Sequence, residues 1–291
     1  MSEQNATEGT AVASTAYSAP SGVAYRAVVA RLRAAGCVFA EDEAALLIEA
    51  AASPAELDDL VARRVEGLPL EHLLGWAEFA GLRIAVDPGV FVPRRRTELL
   101  VTEALALLGP GAVVLDLCCG SGAVGAAIAG AATATESATH HVAVYAADID
   151  PAAVRSARRN LPGPGRVFEG DLYDPLPRDL RGRIDLLVVN APYVPTDAIA
   201  TMPPEARLHE ARVALDGGDD GLDVQRRVAT DAPSWLSATG HLLIETSERQ
   251  AQASAAIFAA AGLHPRIVHD DDLDATVVIG GASPRPDDQP L

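Results

Sequence analysis

The segment from Val113 to Gly125, VVLDLCCGSGAVG, constrains the fold of this chain more than any other. Its first half is apolar apart from Asp116, as a strand buried on both faces should be. Gly120, Gly122 and Gly125 then satisfy G-x-G-x-x-G and lead into an Ala-rich run suited to a helix. Glycine lets the backbone approach a ligand, and the start of the following helix presents unpaired N–H groups. The same string also serves as a tight strand-to-helix turn that binds nothing, so its meaning depends on its neighbours.

Those neighbours repeat the unit. Beyond Thr97 the pattern predicts a helix over 97–108, strands over 113–117, 142–147, 166–169 and 184–189, and helices over 123–129 and 151–160. A helix over 223–231, a strand over 241–246, a helix over 248–261 and a strand pair near 266–280 complete the set. The class is α/β, a doubly wound, mostly parallel, Rossmann-like sheet. Ahead of it, apolar residues recur at helical spacing from Ala24 to Glu66, and Ser53-Pro54 reads as an N-cap followed by proline at the first helical position. The expected organisation is a disordered tail over 1–20, a small helical domain over 21–76, a β-hairpin linker over 77–92, the α/β domain over 93–283 and a flexible tail over 284–291. Residues 130–141 read as a polar connection, and 203–223 as a long Pro, Gly and Asp-rich loop with the character of a lid.

Composition narrows the function. With 291 residues and 49% hydrophobic content the chain can bury a full core. It contains no apolar run of about 18 residues and no basic start to a leader, so a cytoplasmic protein without a membrane span is expected. Its 23 basic residues are all arginine and are outnumbered by 40 acids, and the net charge of −17 argues against direct nucleic-acid binding. Cys37, Cys118 and Cys119 offer neither a disulfide framework nor a C-x-x-C pair, and no metal is expected. His140-His141 reads as solvated surface and Asp270 to Asp272 as a turn. Arg94 to Arg96 suit RNA or an acidic protein surface, although three arginines on a linker are more often simply solvated.

Asp148 ends the strand after the glycine turn, where a carboxylate accepts hydrogen bonds from ribose hydroxyls; Asp150, just before Pro151, is the better helix N-cap. Together with the turn, Asp148 indicates a nucleoside cofactor, either NAD or S-adenosylmethionine. Asp116 would repel a pyrophosphate and suits a cationic amino-acid cofactor. By their places at the carboxyl ends of successive strands, Cys118, Cys119, Gly120, Ser121, Gly122 and Asp148 are expected to bind that cofactor, with Asp171 and Leu172 beside its base. The strand over 184–189 ends in Asn190-Ala191-Pro192-Tyr193, at the same edge.

With these residues the chain resembles class I methyltransferases, and specifically the protein-(glutamine N5) methyltransferases that modify the Gly-Gly-Gln glutamine of peptide chain release factors. The resemblance extends over residues 24–280. It rests on Pro69 to Gly75, Phe79 with Gly81-Leu82, Val92-Pro93-Arg94 with Thr97-Glu98, Leu115 to Leu117 with Gly120 and Gly122, Ala147-Asp148, Gly170-Asp171, Asn190 to Tyr193, and Leu215 to Gly218 with Gly221-Leu222. It implies S-adenosylmethionine held in part by Asp116 and Asn190, catalysis by Asn190, Ala191, Pro192 and Tyr193, a helical substrate-recognition domain and a release factor as protein partner. The chain departs from the family pattern at Ala191, where the family has Pro, at Arg95-Arg96 in place of Pro and an acid, at Cys118 in place of Gly, at Leu172 in place of an aromatic, and at Ala211 in place of Pro.

The chemistry suits these residue types. An amide nitrogen is a poor nucleophile because its lone pair is delocalised, so two acceptors must orient its two N–H bonds. Asn190 offers a side-chain carbonyl and residue 191 a backbone carbonyl that survives the change to Ala, while Pro192 biases Ala191 toward extended geometry. Tyr193 can pack the amide or line the methyl channel. The expected activity is S-adenosylmethionine-dependent N5-methylation of a protein glutamine. The alternatives are N-methylation of another protein amide or of a planar nitrogen on a small molecule, and a non-catalytic S-adenosylmethionine-binding protein. An NAD oxidoreductase is disfavoured by Asp116 and by the complete absence of lysine.

Overall fold

The computed structural model describes residues 22–134, 142–161, 163 and 166–282. The expected tails over 1–20 and 284–291, and His140-His141 with most of its polar connection, lie outside the described residues. The chain divides into two compact units between Glu66 and Gly67.

The first unit is helical. It consists of α1 (Gly22–Ala34), α2 (Ala40–Ala50) and α3 (Pro54–Val65). Leu32, Leu57, Leu60 and Val61 are buried at helical spacing, whereas α2 turns Ala44 and Leu47 inward and leaves Ala45 exposed. Ser53 caps α3 by accepting from the Glu56 N–H at 3.2 Å, with Pro54 at the first turn. Arg64 and Glu43, both nearly buried, pair at 2.6 Å between α3 and α2.

The second unit begins ten residues earlier than the boundary expected at 76/77. It opens with α4 (Leu70–Leu74), whose His72 is buried with Nε2 2.8 Å from the Val90 carbonyl, so this turn is tied into the larger unit. The hairpin β1 (Trp76–Phe79) and β2 (Leu82–Ala85) follows. It is fastened by Asn160, whose side-chain amide exchanges both hydrogen bonds with the Ala85 backbone at 2.9 Å. It ends sooner than the 77–92 expectation, because beyond β2 the chain leaves the hairpin and Gly89 instead forms a single parallel bridge with Glu210.

The remaining elements are α5 (Glu98–Ala106), β3 (Val113–Leu117), α6 (Ala123–Ala134), β4 (Ala143–Asp148), α7 (Pro151–Asn160), β5 (Val167–Glu169), β6 (Ile184–Val189), α8 (Pro204–His209), α9 (Asp223–Trp235), β7 (Leu236–Thr246), α10 (Ala251–Ala260), β8 (Leu263–Asp270) and β9 (Ala275–Ala282). The sheet order is β5-β4-β3-β6-β7-β9-β8, parallel throughout except where β9 runs against β7 and β8. β3 and β6 pair at the centre and are covered on both faces, which is why VVLDL and IDLLVV are nearly continuous apolar runs. The strand order reverses between β4-β3 and β6, so the carboxyl ends of β3, β4 and β6 border one crevice.

Three elements exceed their expected length. α6 runs on to Ala134, into the stretch expected as a polar connection, because the Ala-rich sequence continues to favour helix beyond residue 129. α9 continues past Pro233 to Trp235, because a proline in the last turn removes only one backbone bond while Trp235 is buried and stacks on Tyr173 at 5.4 Å. β7 starts at Leu236, with an irregular register against β6 between Ile184 and Leu186. Asp270 accepts from the Asp272 and Leu273 N–H groups at 2.9 and 3.0 Å, so this acidic run forms a turn.

Candidate active site

The crevice at the carboxyl edge holds a cavity of about 200 Å³. It is lined by Asp116, Cys118 to Ser121, Asp148, Asp171, Leu172 and Asn190 to Tyr193, so nearly all the residues singled out in the sequence converge on one space. Gly122 is the exception. Its backbone sits at φ +75, and a Cβ there would stand 3.1 Å from that of Ala157, so this glycine serves the close packing of the turn against α7.

The turn and the acid after the next strand form a single structure. Gly120 N–H donates to Asp148 Oδ2 at 2.8 Å, and Asp150 N–H donates to Oδ1 at 2.9 Å. Burial raises the Asp148 pKa, and these backbone donors oppose the rise. Asp150 caps α7 by accepting from Ala152 N–H at 2.8 Å, which frees Asp148 from that duty. Asp116 is 2% exposed, accepts from Gly125 N–H at 2.9 Å, and is pushed up to about 8 by burial and by Asp148. Burial and the surrounding carboxylates raise both the Cys118 and Cys119 thiols, which works against a reactive thiolate at either position.

This donor set discriminates between cofactors. A pyrophosphate at the turn would meet Asp116 and Asp148, and Arg227, the cation lining that side, is bonded to Asp171 at 2.7 Å. Asp148, with Asp116 close to the pH at which it ionises beside a cation, suits a nucleoside that carries positive charge.

At the other end of the cavity, Asn190 follows directly on β6. Its Nδ2 donates to Thr97 Oγ1 at 3.3 Å, and Thr97 is 2% exposed. Tyr193 O–H donates to Glu245 Oε1 at 3.4 Å; burial and Glu245 push the phenol up to about 12. Glu245, at the end of β7, is 2% exposed; burial raises its pKa, and Thr97, Arg96 and Tyr193 oppose that rise. Arg96 Nε lies 3.4 Å from the same oxygen, and its guanidinium stands over the Tyr193 ring at 6.0 Å.

The reading of Arg94 to Arg96 as a solvated run needs correction. Arg94 is half-buried, pairs with the buried Glu210 and stacks on Phe91 at 5.1 Å; Arg95 and Arg96 are exposed as expected, but Arg96 pairs with the buried Glu245. The physical reason is that two buried carboxylates behind the linker demand counter-charge.

The 203–223 segment, expected as a loop, carries α8 and a short 3-10 turn over Arg212–Ala214, and it is pinned at several points that a swinging lid would have to break. Glu210 accepts from Val92 N–H at 3.2 Å as well as from Arg94, and Ala211 N–H donates to the Gly89 carbonyl at 3.0 Å. Further along, Val194 N–H donates to Leu215 O at 3.1 Å and Gly217 N–H returns to Val194 O at 2.9 Å. A Cβ on Gly221 would lie 2.2 Å from the Tyr193 carbonyl, so Leu215 to Gly221 forms the bed on which the end of the Asn190–Tyr193 segment rests.

Sequence reasoning missed Thr97, Glu245, Glu210 and Arg227 as members of this site. Glu245 carried the same signal as Asp116, an acid inside the apolar run LLIET.

Comparison with known proteins agrees with this geometry. Residues 81–226 match the methyltransferase small domain family. The release factor glutamine methyltransferase of Geobacter sulfurreducens is 38% identical over 225 residues, covering 76% of each chain. The 4-amino-L-phenylalanine/4-methylamino-L-phenylalanine methyltransferase of Streptomyces pristinaespiralis is 36% identical over 210 residues, covering 69% of each. Among solved structures, a methyltransferase from Pyrococcus furiosus has a TM-score of 0.52 at 16% identity, covering 78% of this chain and 99% of that one, which shows the shared fold. With a matched family domain over half its length and close identity over three quarters of it, the chain belongs to the release factor glutamine methyltransferase family, enzymes whose methyl donor is S-adenosylmethionine.

Proposed function

We propose that this protein transfers a methyl group from S-adenosylmethionine to the side-chain amide nitrogen of a glutamine in a peptide chain release factor. The observation that carries this reading is Asn190 at the end of β6, with its Nδ2 bonded to Thr97 and therefore its Oδ1 available to accept from a substrate N–H. The Ala191 backbone carbonyl supplies the second acceptor. Held at two points, the amide is turned so that its nitrogen, and not its oxygen, meets the methyl group, and positioning of this kind accounts for most of the rate. S-adenosylmethionine supplies a methyl group on a sulfonium: the new N–C bond forms as the S–C bond breaks, and that bond's electron pair returns to sulfur. The methylated nitrogen then loses its proton to water, so no lysine or histidine base is needed. Tyr193 packs beside the amide plane.

On the cofactor side, Asp148 would accept from the ribose hydroxyls with lone pairs its backbone donors leave free. The Cys118–Gly122 turn would hold the amino-acid portion, Asp116 would ionise beside its positive charge, and Asp171 and Leu172 would border the base. The helical residues of the first unit recognise the protein substrate; the residues lining the cavity run from Phe79 to Arg227, and none comes from that unit.

A second reading is favoured by one observation. Arg96, at a position where the family carries an acid, is 45% exposed at its side chain and lines the cavity beside Tyr193. A cation over an aromatic ring suits a small aromatic amine bearing a carboxylate, and the Streptomyces pristinaespiralis relative is a methyltransferase of 4-amino-L-phenylalanine. Incubation with labelled methyl donor, release factors and aromatic amino-acid amines, followed by peptide mapping, separates the two. Label on the Gly-Gly-Gln peptide supports the first; label only on the amine overturns it.

A further inference from the structure

We propose that Glu245 is a positioning residue for methyl transfer: it sets the direction of the hydrogen bonds behind Asn190 and thereby which atom of the Asn190 amide faces the reacting nitrogen. The inference rests on the reading of Asn190 as the amide acceptor.

The argument follows from what each group can donate. Asn190 Nδ2 carries hydrogens and only donates, so in its 3.3 Å contact the Thr97 oxygen accepts. The single hydroxyl hydrogen of Thr97 must point elsewhere, and the Glu245 carboxyl group, which only accepts when it is ionised, is beside it. Tyr193 and Arg96 both converge on Glu245 Oε1 at 3.4 Å. Oε2 is buried and makes no hydrogen bond among the described residues, which leaves it as the oxygen for the Thr97 hydrogen to approach. With Glu245 ionised and the Thr97 hydroxyl turned to Oε2, every link would run one way, from Asn190 to Thr97 to Glu245, and Asn190 Oδ1 would be left toward the cavity. An ionised acid at 245 imposes this direction; a neutral amide there does not. With Gln at 245 a donor faces Thr97, its hydroxyl can reverse to donate to Asn190 Oδ1, and Nδ2 turns to the cavity, where it opposes a substrate N–H.

The tests use the full-length protein. In ¹⁵N spectra the Asn190 side-chain NH₂ pair, identified by its loss in Asn190→Asp, should move or split into two species in Glu245→Gln. The same change is expected in Thr97→Val, which keeps the shape of residue 97 and removes its hydroxyl. With the acceptor that the wild-type protein methylates, both variants should lose about tenfold in kcat, as for one misdirected hydrogen bond, with KM for S-adenosylmethionine within twofold. Thr97→Ser should recover most of what Thr97→Val loses. An unchanged Asn190 pair in both variants overturns the inference, as does a loss that Thr97→Ser fails to recover. The spectra need no acceptor, so failure of the wild-type protein to methylate a release factor would count against the proposed substrate and leave this result standing.

Discussion

The Gly120 amide nitrogen lies 2.8 Å from Asp148 Oδ2, so the glycine turn after β3 and the acid that ends β4 hold each other in place. Loss of the acid therefore removes a ligand-facing carboxylate and also loosens the turn. Asp148→Ala should weaken S-adenosylmethionine binding by about 1–3 kcal/mol, the range for losing a charge-bearing hydrogen-bond acceptor. Calorimetric titration reads this directly. Tight NAD binding with no response to S-adenosylmethionine would refute the assignment of the cleft.

Asp116 makes stability depend on pH. Its folded pKa of about 8 stands above the ordinary 3.8, so its contribution is fully present below 3.8 and is lost as pH rises toward 8. In that window the folded state holds one more proton than the unfolded one, which lowers stability by about 1.4 kcal/mol per pH unit from this group. Asp116→Asn keeps an acceptor for Gly125 N–H and removes the titration. Urea melts between pH 5 and 8 should show the variant gaining on the wild type as pH rises; parallel curves would show that Asp116 is ionised throughout.

Asn190→Ala removes a preorganised acceptor from the reacting amide, and such losses reduce turnover on the order of 10² to 10³. Cofactor affinity should change far less. Ala191→Pro restores the family residue and keeps the same backbone carbonyl; through the unfolded state such a change is worth about 0.4–1 kcal/mol where the geometry is compatible. It should leave glutamine methylation equal or modestly faster. If it abolishes methylation instead, the acceptor has a different shape and the small aromatic amine becomes the leading substrate.

Glu245 should give methylation an acid limb. Burial raises its pKa above the ordinary 4.5, and the groups that face it, Arg96, Thr97 and Tyr193, oppose the rise. As pH falls through that raised value the carboxylate is neutralised and the rate should drop. Arg96→Ala removes the nearby cation and should move the limb to higher pH, while Glu245→Gln should erase it. A pH–kcat profile that is identical in all three proteins would exclude Glu245 as its origin.

A chain starting at Gly67 separates the roles of the two units. It contains every residue that lines the cavity and should bind S-adenosylmethionine as the full protein does. It should lose methylation of a folded release factor. An unchanged rate on that substrate would show that the helical unit takes no part in recognition.

Much of this was legible along the chain. β3, β6 and α7 fall at their expected residues because each is specified locally: continuous apolar runs for buried parallel strands, and Asp150-Pro151 as a cap followed by proline. The convergence of Asp148, Asp171 and Asn190 followed from topology, since ligands of an open α/β sheet bind beyond the carboxyl ends of its strands. The sequence by itself thus determined the class of the fold, the edge that carries the site and the chemical types of the residues in it. The tertiary structure alone decided which charges meet. Thr97 stands 93 positions from Asn190, Arg94 stands 116 from Glu210, and Arg96 is farther still from Glu245 along the chain. Periodicity and spacing report only on near neighbours, whereas the partner of a buried carboxylate is selected by desolvation after the sheet has formed, from whatever cations the fold brings within reach. For that reason Arg94 and Arg96 read as solvated linker residues, and Glu245 passed as one more position in a strand.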